Sequence, residues 1–230
     1  PDYEALEMKV GSYINAEGKV VRDAADAVGI VFKMEAIGDD VPANYPVALQ
    51  GKTIAGYAVA IENVVVGRQT LNNEAISSLV TTDATVTNGT QATEALLTGL
   101  GDVAFKTTYE KWVNEHLLDG ESLSSWYIPT LNQLGEFMGM LFKVGEVEPT
   151  GGQAFREMPE FAFENGVMFD RDPIESVYYA SCTVNGSKDV SGVIINVDKT
   201  TKQVLDAKAS SLKVTGSSQK ALCRPMITIF

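Results

Sequence analysis

The chain has 230 residues, 45% hydrophobic and 21% charged, with a formal net charge of −12. This is the composition of an ordinary folded domain, and it excludes disordered, collagenous and coiled-coil classes. The acidic balance argues against a nucleic-acid partner, because phosphates need a basic face. No apolar run approaches the roughly 20 residues of a membrane-spanning helix.

The charge is uneven. Residues 1–145 carry 19 acidic against 9 basic side chains (−10), residues 146–175 carry 8 against 2 (−6), and residues 176–230 carry 3 against 7 (+4). The basic residues of the last segment are mostly single lysines among Ser, Thr and Val, which reads as solvated strand faces. Residues 1–230 show no secretory signal peptide. The start at Pro1 rather than Met leaves room for an upstream segment.

The first third reads as β. Leu6–Tyr13 is a strand candidate that turns near Asn15-Ala16-Glu17-Gly18 and returns through Lys19-Val20-Val21. Val28–Met34 is β-branched, aromatic and nearly continuously apolar, the pattern of a buried strand. Pro42 and Pro46 punctuate the next loop. Tyr45–Leu49 and Tyr57–Val66 are further strand candidates, with Gly51-Lys52-Thr53 as a hairpin turn between them.

The middle reads as helical. Thr90 is placed to cap a helix from Gln91 to about Leu118, with Leu96, Leu100, Phe105, Tyr109, Trp112 and Val113 at three-four spacing. Gly99 and Gly101 are positioned to bend or break it. In Trp126-Tyr127-Ile128-Pro129-Thr130, Pro129 biases Ile128 toward an extended backbone. Thr130 is a good N-cap for a second helix over Leu131–Lys143, whose apolar face is Leu134, Phe137, Met138, Leu141 and Phe142.

Residues 146–175 read as irregular, with a hairpin or short helix over Phe161–Phe169. The last quarter returns to strands at Val177–Val184, Gly192–Val197, Gln203–Leu205 and Leu222–Phe230. Strands, then two helices, then strands predict one α+β domain over residues 1–230.

Several pieces in fixed order carry a resemblance: Gly29-Ile30-Val31-Phe32, a Val47-Ala48-Leu49 strand, Asn88-Gly89-Thr90, Trp126–Thr130, Tyr178-Tyr179-Ala180-Ser181 and Cys223-Arg224-Pro225-Met226-Ile227-Thr228-Ile229-Phe230. The chain resembles the C-type-lectin-like domains of surface lipoproteins and fimbria-associated proteins of gut Gram-negative bacteria, related in fold to the formylglycine-generating enzymes. Ile128 stands where that group usually has Leu, Cys223 stands where it commonly has Val, and Cys182 is also unusual.

The resemblance implies mixed helices with a twisted, mainly antiparallel sheet. It implies N- and C-terminal strands adjacent to each other and a long irregular region carrying any ligand site. It also implies a non-enzymatic surface binding or adhesion domain at the cell surface or outer membrane, held by an upstream lipid anchor or a fimbria. The expected ligand is a glycan or a surface protein. Alternatives are a cysteine-using enzyme of the formylglycine-generating type and a structural module of a pilus or secreted complex.

The side chains offer little chemistry. His116 is the only histidine, which removes Ser-His-Asp triads and histidine-rich metal sites. Gly51-Lys52-Thr53 lacks the upstream glycine of a phosphate loop, and Gly99–Ala104 lacks the strand a dinucleotide fingerprint needs. Glu148-Pro149-Thr150 and Asn196-Val197-Asp198 are incomplete against the calcium signatures of true lectins. Neither a metal nor a cofactor is expected. Cys182 and Cys223 are either a disulfide or two buried thiols; the oxidising surface location implied by the resemblance favours the bridge. Tyr127, Glu164, Asp170, Asp172, Glu175 and Tyr179 are candidates for a ligand surface, although the acidic four read as a solvated loop rather than a cation cage.

Overall fold

A computed structural model describes residues 6–67, 81–82, 87–100, 104–162, 168–171, 173–184, 186, 190–212 and 220–230. The described part is α+β, with two mainly antiparallel sheets and a few helices. The first sheet is built from β1 (Tyr13–Ile14), β2 (Val20–Val21), β3 (Gly29–Lys33), β4 (Gly56–Ala60) and β11 (Met226–Ile229), in the order β11-β4-β3-β1-β2. The second contains β5 (Val64–Gly67), β7 (Ile174–Ala180), β8 (Val190–Asp198), β9 (Val204–Leu212) and β10 (Lys220–Cys223), in the order β5-β10-β7-β8-β9. Strand β6 (Met168–Arg171) pairs with the first half of β7, next to the single parallel contact between β10 and β7 at Leu222 and Tyr179.

The expected single sheet is two sheets. The last strand does join the first strands in one sheet, but its neighbour is β4, with Met226 opposite Val59, and β3 and β4 separate it from β1.

The chain crosses between the sheets twice, side by side. The apolar run expected as one strand over Tyr57–Val66 is broken at Glu62 and Asn63, so β4 stays in the first sheet and β5 enters the second. The tail is broken opposite, at Arg224-Pro225, between β10 and β11. Proline has no N–H to give a ladder, and its carbonyl accepts from Ala60 N at 2.7 Å. The Arg224 guanidinium fills the junction. It donates to Ala60 O at 2.7 Å, Asn63 Oδ1 at 3.1 Å and Glu160 O at 3.0 Å, and lies 5.4 Å from the Phe161 ring centre.

The Tyr45–Leu49 strand is also corrected, to one helical turn, α1 (Val47–Gln50). Pro46 precedes it with a φ already suited to helix entry, and Leu49 N bonds back to Pro46 O at 2.8 Å. Only one side is buried: Leu49 is covered while Val47 is 83% exposed. Gly51-Lys52-Thr53 accordingly follows a helical turn and is not a hairpin. Of Leu6–Tyr13, only Tyr13 enters a strand.

The long middle helix is two helices, α2 (Gly89–Leu100) and α3 (Ala104–Glu115). Thr90 lies inside α2, and its hydroxyl donates to Asn44 O at 2.9 Å. The second expected helix is α4 (Leu131–Leu141), opened by a full capping box: Thr130 Oγ1 accepts from Gln133 N at 3.2 Å, and Gln133 Oε1 accepts from Thr130 N at 3.0 Å. A short α5 (Gln153–Arg156) and a 3-10 turn at Pro159–Phe161 follow. Of the hairpin or short helix expected over Phe161–Phe169, residues 163–167 lie outside the described residues.

The Trp126–Thr130 segment ties the sheets together. Residues 122–127 run along β11, with Tyr127 N donating to Met226 O at 3.0 Å and Ser124 N to Thr228 O at 2.9 Å. Two residues later, Pro129 O accepts from Cys182 N at 2.9 Å beyond the end of β7. Both apolar cores draw on both sheets: one packs Val31, Leu96, Phe105, Trp126 and Cys223, the other Phe32, Tyr57, Phe137, Val177 and Ile195.

Candidate ligand-binding cleft

Helix spacing opens a cleft between α2 and α3. In α2, Ala92, Leu96 and Leu100 face the core. In α3, Phe105, Tyr109 and Trp112 do the same at i, i+4 and i+7. The outward residues Gln91, Glu94 and Thr98 of α2, and Lys106, Glu110 and Asn114 of α3, border a space of about 740 Å³. Residues 44–46 and 125–126 complete the wall. That volume is in the range of small-ligand sites, roughly 300–1,000 Å³. Its lining mixes amides and hydroxyls with a charged trio, in which Lys106 Nζ stands 4.0 Å from Glu110 Oε1.

Behind this wall lies a buried polar chain. Asp40 is 4% exposed, and its carboxylate accepts from Tyr45 OH at 2.5 Å, Tyr57 OH at 2.6 Å and Asn44 Nδ2 at 2.8 Å. Tyr45 OH also meets Thr228 Oγ1 at 2.8 Å, Thr228 Oγ1 meets Tyr127 OH at 2.9 Å, and Gln133 Nε2 donates to Tyr127 OH at 3.1 Å. The ends set the direction of donation. An amide NH₂ only donates and a carboxylate only accepts, so the hydroxyls donate in sequence from Gln133 through Tyr127, Thr228 and Tyr45 to Asp40.

Burial pushes the Asp40 carboxyl above the usual carboxylate range, outweighing the hydrogen bonds from Tyr45, Tyr57 and Asn44 that oppose it. Burial also raises Tyr45, helped by the nearby Tyr127 and Asp40, and it raises Tyr57, helped by the hydrogen bond to Asp40. Asn44 and Tyr45 belong to both structures: they line the cleft and they bind Asp40.

At the other end of the cleft the tryptophans are packed as the sequence pattern suggests, Trp112 8% and Trp126 5% exposed, edge to face at 5.0 Å. His116 stacks on Trp112 at 4.3 Å, and its Nδ1 is 2.7 Å from Trp112 O. His116 Nε2 and Trp112 Nε1 converge on Glu62 Oε1 at 3.0 and 2.9 Å. Glu62 is the partner that sequence reasoning could not give His116. It lies 54 positions away and reaches the ring only because the chain changes sheets there.

Of the expected ligand residues that the structure describes, two are buried and two lie opposite each other across β6 and β7. Tyr127 is 1% exposed and Tyr179 7%, both within the core, so neither presents a ring to a ligand. Glu175, on β7, pairs with Lys202 Nζ at 3.1 Å. Asp170 belongs to β6, paired opposite Glu175. Glu164 and Asp172 lie outside the described residues. None of the described residues among 146–175 lines the cleft between α2 and α3. Asp40, Asn44 and Tyr45 were not singled out from the sequence, because a carboxylate in a loop carries no periodic sign that it will be buried.

Cys182 and Cys223 are free, buried thiols in the same apolar core. Burial pushes Cys182 up to about 12 and raises Cys223 as well. Arg224, the one basic neighbour in sequence, directs its guanidinium to backbone oxygens and Asn63. Among the described residues, no three His, Cys, Asp or Glu side chains converge on a point that could hold a metal ion, and no helix is long and apolar enough to cross a membrane.

No family model, curated protein or solved structure matches the chain.

Proposed function

We propose that this chain is a non-enzymatic binding domain of C-type-lectin-like kind, displayed at the cell surface, that takes its ligand in the cleft between α2 and α3. The observation that carries the reading is the lining of that cleft. Gln91, Asn114 and the hydroxyls of Thr90, Thr98 and Ser125 supply neutral donors and acceptors. Such groups suit a polyhydroxyl or peptide ligand. The walls are held by regular helices and by the Asp40 chain, which favours recognition by a preformed surface.

The surface location and the family rest on the resemblance of the ordered motifs. The enzymatic alternative needs a thiolate, and burial disfavours one at both cysteines.

The test is a binding screen of the purified domain on a glycan array and on immobilised extracellular matrix and surface proteins. Saturable binding is expected, weakened by the Gln91→Ala, Asn114→Ala double variant. No saturable binding on either surface, or binding indifferent to that variant, overturns the assignment to this cleft.

A further inference from the structure

A second, smaller depression of about 320 Å³ adjoins the cleft and shares Val113, Ser125 and Trp126 with it. Its own lining is mostly aliphatic, Leu117, Leu118 and Leu123 with Gly120 and Ser124. Leu117 is 70% exposed, unusually open for a leucine beside a concave surface. The two spaces form one groove, polar at the α2 end and apolar beyond α3.

Charge around the groove is mainly negative, the cations beside it being Lys106 in the cleft wall and Lys52, whose Nζ donates to Glu121 O at 2.7 Å. Glu110 is partly matched by Lys106, 4.0 Å away. Glu94 on the polar wall, and Asp119 and Glu121 flanking Gly120, have no ion pair among the described residues. The chain as a whole carries −12, so a second copy of it would be repelled.

Taking the binding role above as its premise, we propose that the groove receives an extended segment of a partner polypeptide, carrying a lysine or arginine beside an aliphatic side chain. The aliphatic side chain enters the leucine-lined depression. The cation meets Glu94, Asp119 or Glu121, and the side-chain amides of Gln91 and Asn114 pair with the peptide backbone. A sugar is the weaker fit. Sugars are commonly held on an open aromatic face, whereas Trp126 and Tyr45 are only 5% and 4% exposed.

The test uses three fluorescent dodecapeptides, one with alternating Lys and Leu, one with Glu in place of Lys and one with Ser in place of Leu, together with a neutral oligosaccharide array. The Lys-Leu peptide is expected to bind best and to weaken as salt rises from 50 to 500 mM. The Glu94→Gln, Asp119→Asn, Glu121→Gln triple variant and the Leu117→Ser variant are each expected to lose roughly tenfold in affinity. All four positions are exposed or at the rim, so folding is spared, as circular dichroism would verify. Glu35→Gln, at an exposed acid outside the groove, is expected to change nothing.

Equal binding of the three peptides, or loss of affinity in Glu35→Gln equal to that in the triple variant, overturns the inference. Oligosaccharide binding without peptide binding overturns it and leaves the binding role intact. Silence from peptides and sugars, together with silence from the surface proteins of the earlier screen, removes both.

Discussion

Replacing Asp40 tests the buried polar chain most directly. Asp40→Ala removes the acceptor at the end of the donor sequence. Asn44 Nδ2 keeps Thr87 O at 2.9 Å, so its loss is small. Tyr57 OH still accepts from Ile37 N at 3.1 Å, but its proton has no other acceptor. Tyr45 can turn toward Thr228 only by reversing donation along the chain, which leaves the Tyr127 proton unmatched. Two buried hydroxyl protons are therefore stranded whichever way the chain points, at about 1–3 kcal/mol each. Removing a poorly solvated carboxylate returns part of this, giving a net loss of about 2–4 kcal/mol. Asp40→Asn keeps an oxygen for both tyrosines and turns its NH₂ toward Asn44, so about 1 kcal/mol is expected.

The pH dependence distinguishes the two effects. The Asp40 carboxyl is raised in the folded chain, so the native state holds this proton more tightly than the unfolded one. The resulting contribution is fully present below the ordinary aspartate value of about 3.9 and is lost as pH rises through the elevated folded value. Urea denaturation of the wild type and Asp40→Asn, at intervals from pH 3.5 to 7, is the assay. The wild type should lose ground relative to the variant as pH rises across that window. A gap moving the other way, or Asp40→Ala no worse than Asp40→Asn, would refute the account of the chain.

Three further outcomes follow from packing. A Cβ on Gly89 would stand 2.5 Å from Tyr127 Cε2 and 2.6 Å from Gln133 Oε1, so Gly89→Ala should cost about 1–3 kcal/mol by thermal or urea unfolding; an unchanged midpoint contradicts that contact. Arg224→Met strips the guanidinium from Ala60 O, Asn63 Oδ1 and Glu160 O and should cost about 2–4 kcal/mol by the same measurement, a cost that a change within about 0.5 kcal/mol would disprove. Cys182 and Cys223 should resist a disulfide-exchange reagent at pH 8 and react together on unfolding in urea; prompt modification of either in the native protein would contradict their burial.

Local signals in the sequence were accurate where local chemistry decides the structure. Thr130 caps α4 because the hydroxyl and Gln133 are three residues apart, a spacing visible on the page. Val28–Met34 became the central β3 because its apolar run is continuous and β-branched. What stayed hidden depends on distant partners. Tyr57–Val66 reads as one strand, yet its two halves lie in different sheets because Arg224, over 160 positions later, claims Ala60 and Asn63 at the crossing. Tyr127 and Tyr179 read as candidates for a ligand surface, and nothing local says that the Tyr127 hydroxyl finds Thr228 and Gln133 inside the core. The cleft was missed for the same reason, since its walls come from residues 44–46, two helices and residues 125–126.

The polar chain and the cleft are two sides of one construction. Tyr45 gives its ring to the cleft wall and its hydroxyl to Asp40, and Asn44 gives its amide to Asp40 and its carbonyl to Thr90 of α2. The loop between β3 and β4 is thereby fastened to α2, and through Thr228 and Tyr127 to β11 and the segment beside it. A loop held at both ends by buried, directional hydrogen bonds has little freedom to lose when a ligand arrives, so less binding energy is spent on ordering it. A buried carboxylate is an uneconomical way to stabilise a core, since an apolar replacement of similar shape commonly serves as well or better. Its place here is better explained by what it holds still: the wall of a groove assembled from four separate stretches of chain.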